Sequence, residues 1–354
     1  MQRRHSRLVK VGDVPIGAGN PIVVQSMTST DTRDVKGTLE QIARLKEAGC
    51  ELVRVAVPDR EAALAIGRIK AGTDLPLVAD IHFDYRLALL CLEQGVDKLR
   101  LNPGNIGDRK RVQAVVAGAR ARGVPIRIGV NAGSLEKDLE EKYGRHSPVA
   151  LVESALRHVA ILEAEGFHDI IISLKATDVA VTLEAYKLIA QRTNYPLHVG
   201  ITEAGTSWAG TIRSAVGIGS ILSLGIGDTI RVSLTADPVE EVRVAYEILK
   251  ALGLREWGPV LISCPTCGRC EINLMALARS VEEKLKGIKA PLKVAVMGCV
   301  VNGPGEAADA DFGIAGGRGV GLLFRKGRII KKLPQEQLVA ALLQEIEAYL
   351  GRGN

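Results

Sequence analysis

Aromatic residues are nearly missing from this sequence: two Trp, four Phe and six Tyr make up 3% of its 354 residues. A surface that grips nucleic acid by base stacking would have too few platforms, and the Lys and Arg residues behind the net charge of +6 are scattered rather than gathered in a stripe. Long apolar runs are missing too, so no segment approaches the length of a bilayer-spanning helix. The opening Met1-Gln-Arg-Arg-His-Ser-Arg7 is basic but leads into Leu-Val-Lys-Val-Gly-Asp instead of a hydrophobic stretch, which argues against a secretory signal. The first apolar run passes into Gln25-Ser-Met-Thr-Ser-Thr-Asp31 with no glycine-rich nucleotide turn. These absences predict a cytoplasmic protein with reduced thiols and no nucleic-acid or membrane partner.

What the chain does have is aliphatic bulk. Hydrophobic residues make up 47%, and with so few aromatics the core must be built from Val, Ile, Leu and Ala. Short apolar runs at 22–27, 52–57, 75–81, 98–101, 126–130, 170–174, 197–201 and 229–234 alternate with eight stretches of helical periodicity. Gly49, Gly72, Gly95, Gly123, Gly166, Gly225 and Gly253 close many of those stretches, as left-handed helix caps require. Eight strand–helix units in succession predict a (β/α)8 TIM-type barrel over residues 1–257, and residues 7–20 read as a hairpin plugging its lower end. After Trp257-Gly258-Pro259 the alternation stops. A helix at 274–285, a strand at 292–297, a hairpin pairing 320–324 with 328–331 and a terminal helix at 334–350 predict a smaller α+β domain over 258–354.

Four of the six cysteines gather in that second domain. Cys264-Pro-Thr-Cys267-Gly-Arg-Cys270 contains two overlapping C-x-x-C spacings, and Cys299 sits in a glycine-rich loop that ends at Glu306. The spacing suits an iron–sulfur cluster, with backbone N–H groups of the loops aimed at the sulfurs. It also satisfies a structural zinc site, although zinc ribbons more often present two C-x-x-C pairs. Cys50 and Cys91 lie in the helical patterns of the barrel and read as small buried hydrophobes.

Barrel active sites form at the C-terminal ends of the strands. Those ends carry Arg54; Asp80 and His82; Arg100 and Asn102; Arg127 and Asn131; Lys175; Glu203; and, beyond the eighth run, Asp237. Side chains two apart on a strand point the same way, so these groups converge. Four cations from four strands are costly together unless an anion of several charges sits among them, and Arg forks match phosphate oxygens in pairs. The competing reading is a set of barrel-end salt bridges to Asp80, Glu203 and Asp237. His146, His158, His168 and His198 show no constellation.

The motifs 264–269 (Cys-Pro-Thr-Cys-Gly-Arg) and 298–306 (Gly-Cys-Val-Val-Asn-Gly-Pro-Gly-Glu) resemble those of the bacterial 4-hydroxy-3-methylbut-2-en-1-yl diphosphate synthase family. So do 24–28 (Val-Gln-Ser-Met-Thr), 79–83 (Ala-Asp-Ile-His-Phe), 100–105 (Arg-Leu-Asn-Pro-Gly-Asn) and 200–205 (Gly-Ile-Thr-Glu-Ala-Gly), so the resemblance spans nearly the whole chain. It implies reductive ring opening of 2-C-methyl-D-erythritol 2,4-cyclodiphosphate in the methylerythritol phosphate route to isoprenoids, with electrons from reduced flavodoxin or ferredoxin. It implies a [4Fe–4S] cluster on Cys264, Cys267, Cys299 and Glu306, leaving Cys270 a bystander. Arg54, Arg100, Asn102, Arg127, Asn131 and Lys175 are then expected to bind the diphosphate, and Glu203 with Asp80 or His82 to handle the proton. The last barrel helix runs back toward the lower face, which leaves a cluster domain on a short linker about 30 Å from its own barrel mouth. A head-to-tail homodimer, each cluster domain capping the other chain's barrel, is the expected solution and is also the family's assembly. A non-redox iron–sulfur hydro-lyase and a zinc-stabilised barrel that only binds phosphorylated ligands are the alternative readings.

Overall fold

The computed structural model describes residues 2–351 except 145, 271, 300–304, 306 and 318. It divides into two compact units, Met1–Arg255 and Glu256–Asn354.

The first unit opens with a hairpin of β1 (Val9–Val11) and β2 (Val14–Ile16). Eight parallel strands follow: β3 (Val23–Met27), β4 (Leu52–Ala56), β5 (Leu77–Asp80), β6 (Lys98–Arg100), β7 (Ile126–Asn131), β8 (Ile170–Lys175), β9 (His198–Val199) and β10 (Thr229–Ile230). They pair in the order β8-β7-β6-β5-β4-β3-β10-β9, and a parallel bridge between Ile172 and Leu197 joins the two ends. The sheet is therefore closed, with a helix after each strand, as the alternating pattern predicts. Most strands are shorter than the apolar runs that announced them. The last two barrel strands shrink to two residues each. Asp capping side chains start several of the helices; Asp59, Asp108 and Asp178 each accept a backbone N–H from the first turn. Six of the seven helix-closing glycines have positive φ, while Gly72, at φ −97°, ends its helix without the left-handed turn.

The hairpin packs Val9, Val11 and Ile16 against Val23, Leu52 and Ile171 of the barrel strands, so an apolar plug fills the lower interior. A short helix, Lys137–Tyr143, precedes the long Pro148–Ala164; its charged sequence shows little apolar face, which hides it from periodicity. Cys50 and Cys91 are buried, and burial pushes both thiols up to about 12.

The second unit is a five-stranded sheet: β11 (Val260–Ser263), β12 (Lys293–Met297), β13 (Phe312–Ala315), β14 (Val320–Arg325) and β15 (Arg328–Pro334), paired in that order. The first three strands run parallel and the last two turn back as a hairpin. Helices Leu274–Leu285 and Leu338–Leu350 cover a face on which Leu274, Val281, Val294, Val296, Ile314, Leu323 and Leu342 form the core. Among the described residues no helix is long and apolar enough to cross a membrane.

Candidate active site

The upper interior of the barrel is polar. Arg54, Asp80, Arg100, Asn102, Arg127 and Lys175 are all buried there, so the strands bring six of the predicted residues together. Asp80 is the hub: its Oδ1 lies 3.3 Å from Arg100 Nη1, and its Oδ2 lies 3.8 Å from Arg54 Nε and 3.6 Å from His82 Nε2. Burial opposes ionisation of this carboxyl, but Arg54, His82 and Arg100 outweigh it and hold the group far below the usual carboxylate range. Arg54 also directs Nε and Nη2 at the Met27 sulfur, at 3.1 and 2.9 Å.

Gly129 makes room for this arrangement. Arg100 Nη2 donates to the Gly129 carbonyl at 2.9 Å, and the Asn102 amide clamps the same residue, donating to its carbonyl at 3.1 Å and accepting its N–H at 2.9 Å. A Cβ at this position would stand 2.7 Å from Arg100 Nε, so only glycine lets the guanidinium lie over the strand. Both ends of the Asn102 amide thus serve the backbone, and one N–H remains for a ligand.

Arg127 is 1% exposed, and its Nε and Nη2 have no hydrogen-bond partner among the described residues. Lys175 is buried at the end of β8, where Gly200 leaves space; a Cβ there would meet the ammonium at 2.9 Å. A buried guanidinium with open donors is costly in an empty protein and is what an anion site needs.

A cleft of about 1010 Å³ is lined by His82, Arg100, Asn102, Asn131 and Glu203 among others. His82 is exposed, and both its ring nitrogens lie 3.3 Å from Arg100 Nη1. Glu203 sits at φ +52° on the turn after β9; it is exposed and accepts a hydrogen bond from Thr177 Oγ1 at 3.1 Å.

Asp237 does not belong to the mouth. It caps helix Pro238–Ala251 through the Val239 N–H and pairs with Arg44 at 2.9 Å, as expected for an Asp placed directly before a helix-starting proline. Its place is taken by groups the sequence reading passed over. Arg231 is partly buried beyond β10 and lies 3.7 Å from the buried Glu241 carboxylate. Lys98, fully buried on β6, donates to Gln25 Oε1 at 2.9 Å. Both follow the two-residue alternation that exposed the others: Lys98 precedes Arg100 by two, and Arg231 follows Thr229 by two. His146 lines the cleft, and His198 is fully buried in the barrel interior.

In the second unit, β11 and β12 are parallel neighbours, with Ser263 beside Val296. Their C-terminal ends therefore present Cys264 and Cys299 on adjacent loops. The Gly298 N–H donates to Cys264 Sγ at 3.2 Å, the contact by which a loop backbone tunes a metal-bound sulfur. Cys267 is exposed, and the Arg269 backbone N–H and guanidinium hold its thiol below the ordinary value. Cys270 is partly buried, as Cys264 and Cys299 are; it packs against the domain core and its thiol donates to the Ile272 carbonyl at 3.2 Å. Glu306 lies outside the described residues, and among those described no group of three or more Cys, His, Asp or Glu is assembled closely enough to hold a metal ion. The donor set still fits a thiophilic centre: free thiols on two adjoining loops, one of them already accepting a backbone N–H and another lowered toward thiolate.

Residues 6–246 match the GcpE TIM-barrel domain and residues 260–348 the GcpE protein C-terminal domain. The chain is 63% identical to a protein of Geobacter sulfurreducens over 98% of both chains, and 61% identical to one of Geobacillus thermodenitrificans over 98% of this chain and 93% of that one. Both relatives are named 4-hydroxy-3-methylbut-2-en-1-yl diphosphate synthase (flavodoxin). Among solved structures, the Plasmodium falciparum HPPK-DHPS protein superposes with a TM-score of 0.52 at 11% identity, over 79% of this chain and 52% of that one, a likeness of fold alone. With both halves matched and relatives this similar over nearly their full length, the chain belongs to the GcpE family.

Proposed function

We propose that this chain reductively opens 2-C-methyl-D-erythritol 2,4-cyclodiphosphate to 4-hydroxy-3-methylbut-2-enyl diphosphate, with two electrons from reduced flavodoxin or ferredoxin. A carbon–oxygen bond to the diphosphate breaks and a hydroxyl leaves as water, which consumes one proton along with the two electrons. The observation that carries this reading is the excess of buried cations in the upper barrel: Arg127 has two donors without a partner among the described residues, and Arg100, its neighbour across the β6–β7 ladder, lines a cleft of about 1010 Å³. Bidentate guanidinium–phosphate pairing suits Arg54, Arg100 and Arg127, with Lys175 as a point charge and Asn102 and Asn131 orienting the ligand. Arg231 completes this set from the opposite side.

The proton has to come from a group that holds one. Asp80 is kept ionised by its three partners and has none to give, so its part is to fix Arg54, Arg100 and His82. We assign its delivery to Glu203 or His82, because both are exposed and line the cleft. Cys264, Cys267 and Cys299, with Glu306, would hold a [4Fe–4S] cluster, and Cys270 would stay in the domain core. When bound, the cluster supplies electrons and a Lewis-acidic iron.

We read the assembly as a homodimer in which each cluster domain serves the other chain's barrel, because the linker between the domains is short. Mixing Arg100→Ala with Cys267→Ala subunits should then restore activity that neither variant has, and failure of mixed dimers to regain any would refute the arrangement. The cofactor is tested by anaerobic reconstitution, which should give about four irons and four sulfides per chain. Stoichiometric zinc without sulfide would favour the zinc-stabilised binding barrel instead.

A further inference from the structure

The polar layer inside the barrel holds more positive charge than its partners can balance. Arg54, Lys98, Arg100, Arg127 and Lys175 are all buried, and Asp80 is the one buried carboxylate among them in the described residues. The next acid, Glu241, is spent: it lies 3.7 Å from Arg231 and accepts hydrogen bonds from Ser26 Oγ at 3.1 Å and the Leu234 N–H at 3.0 Å. From below, the plugging hairpin contributes the apolar Val9, Val11 and Ile16, and the buried Asp228 carboxylate is taken up by Ser6 Oγ at 2.7 Å, the Leu197 N–H at 2.8 Å and Arg3 at 3.4 Å. Five buried cations facing one carboxylate cannot all stay charged in a dry interior. A guanidinium keeps its proton in proteins, so the adjustment falls on the amines and the imidazole, here Lys98, Lys175 and His198.

The surroundings of these three agree. Lys98 has one neutral hydrogen-bond partner, Gln25, and stands near Arg127 and Arg54. Lys175 faces Arg231, Arg127, Arg54 and Arg100. His198 lies near Arg127 and Lys175; its Nδ1 is 3.4 Å from Thr229 Oγ1, and its Nε2 has no partner among the described residues. Burial and then these like charges push all three groups below their ordinary values. An anion of two or more charges arriving at the mouth offsets the positive potential that these groups feel and so favours the protonated forms.

We propose that entry of the cyclic diphosphate is accompanied by uptake of protons from solvent by this buried layer, with Lys98 and Lys175 as the principal acceptors. The inference rests on the ligand reading above. It adds that Lys98, below the phosphate-binding residues, tunes ligand affinity through its charge without being placed to touch the ligand. Affinity is then linked to pH: one proton taken up weakens binding about tenfold for each unit of rising pH.

The test is calorimetric titration of the anaerobically loaded full chain with the cyclic diphosphate at pH 8, in buffers of different ionisation enthalpy. Both phosphates of that ring are strongly acidic and do not titrate near this pH, so a dependence of the heat on the buffer belongs to the protein. About one proton taken up per molecule bound is the expected result, falling in Lys98→Met while binding persists. Heats independent of buffer in the unaltered protein, or proton release, would overturn the inference and leave the functional reading intact. Absence of binding would instead remove the functional reading. The charge argument would then be decided by the same titration with inorganic pyrophosphate, corrected for pyrophosphate's own ionisation.

Discussion

Replacing Arg127 with methionine separates a ligand-binding cation from a structural one, because the two roles change stability in opposite directions. The side chain is 1% exposed, and its Nε and Nη2 have no hydrogen-bond partner among the described residues, while Arg54 and Arg100 stand close enough to repel it. Without ligand it is a buried charge with little compensation, and an apolar residue of similar volume should be neutral or stabilising by about 1–4 kcal/mol. In a unit of this size each kcal/mol raises the melting temperature by about 2–4 °C. With ligand the sign reverses: a lost guanidinium–phosphate pair costs about 2–4 kcal/mol, or about 30- to 900-fold in Kd. Thermal melts with and without the cyclic diphosphate, together with a binding isotherm, read both quantities. Arg127→Met protein that melts lower than the parent without ligand and binds with unchanged affinity would refute the assignment and make Arg127 a structural residue.

Two further outcomes follow from the same geometry. Asp80→Asn should cost about 3–5 kcal/mol near neutral pH by stranding Arg54 and Arg100. Because the Asp80 carboxyl is depressed in the folded state, its contribution is fully present above the ordinary value near 4 and is lost as pH falls below it, so the gap between variant and parent in denaturant melts should narrow under acid. A gap that stays constant down to pH 2 would show that the carboxylate is not the stabilising form. Cys270→Ser should retain iron and sulfide, since its thiol is spent on the Ile272 carbonyl, whereas Cys264→Ser, which removes the sulfur that accepts the Gly298 N–H, should lose most of both. The reverse pattern in metal analysis would make Cys270 a ligand.

The barrel was readable from its alternation of apolar runs and helical patterns because each unit repeats one physical task, burying a strand on both faces beneath a helix. Strands in the second unit were harder to see. Val260–Ser263 merges into the cysteine turn, and Phe312–Ala315 lies in a glycine-rich stretch with no alternation, so both were passed over. The mouth was found through residues at strand ends, where two-residue spacing marks a shared direction. Lys98 escaped because it opens its run and looks like a surface lysine; burial depends on which strands surround β6, and one sequence does not carry that. Asp237 misled for the opposite reason, an acid after the last strand whose role is fixed by the proline that follows it. Nothing in the sequence indicates that both ends of the Asn102 amide are taken by the Gly129 backbone, since that pairing depends on the register between β6 and β7.

The claim that the cation-lined barrel and the thiol-bearing domain make one reductive enzyme is tested most directly by an anaerobic turnover assay. Full-length reconstituted protein is mixed with the cyclic diphosphate and reduced flavodoxin, and the products are identified. The account predicts the linear allylic diphosphate, formed only with a reduced donor and with two electrons consumed for each molecule. Product formed equally well without any reductant would contradict it and favour a hydro-lyase, and unchanged substrate with fully loaded, reduced protein would contradict it outright.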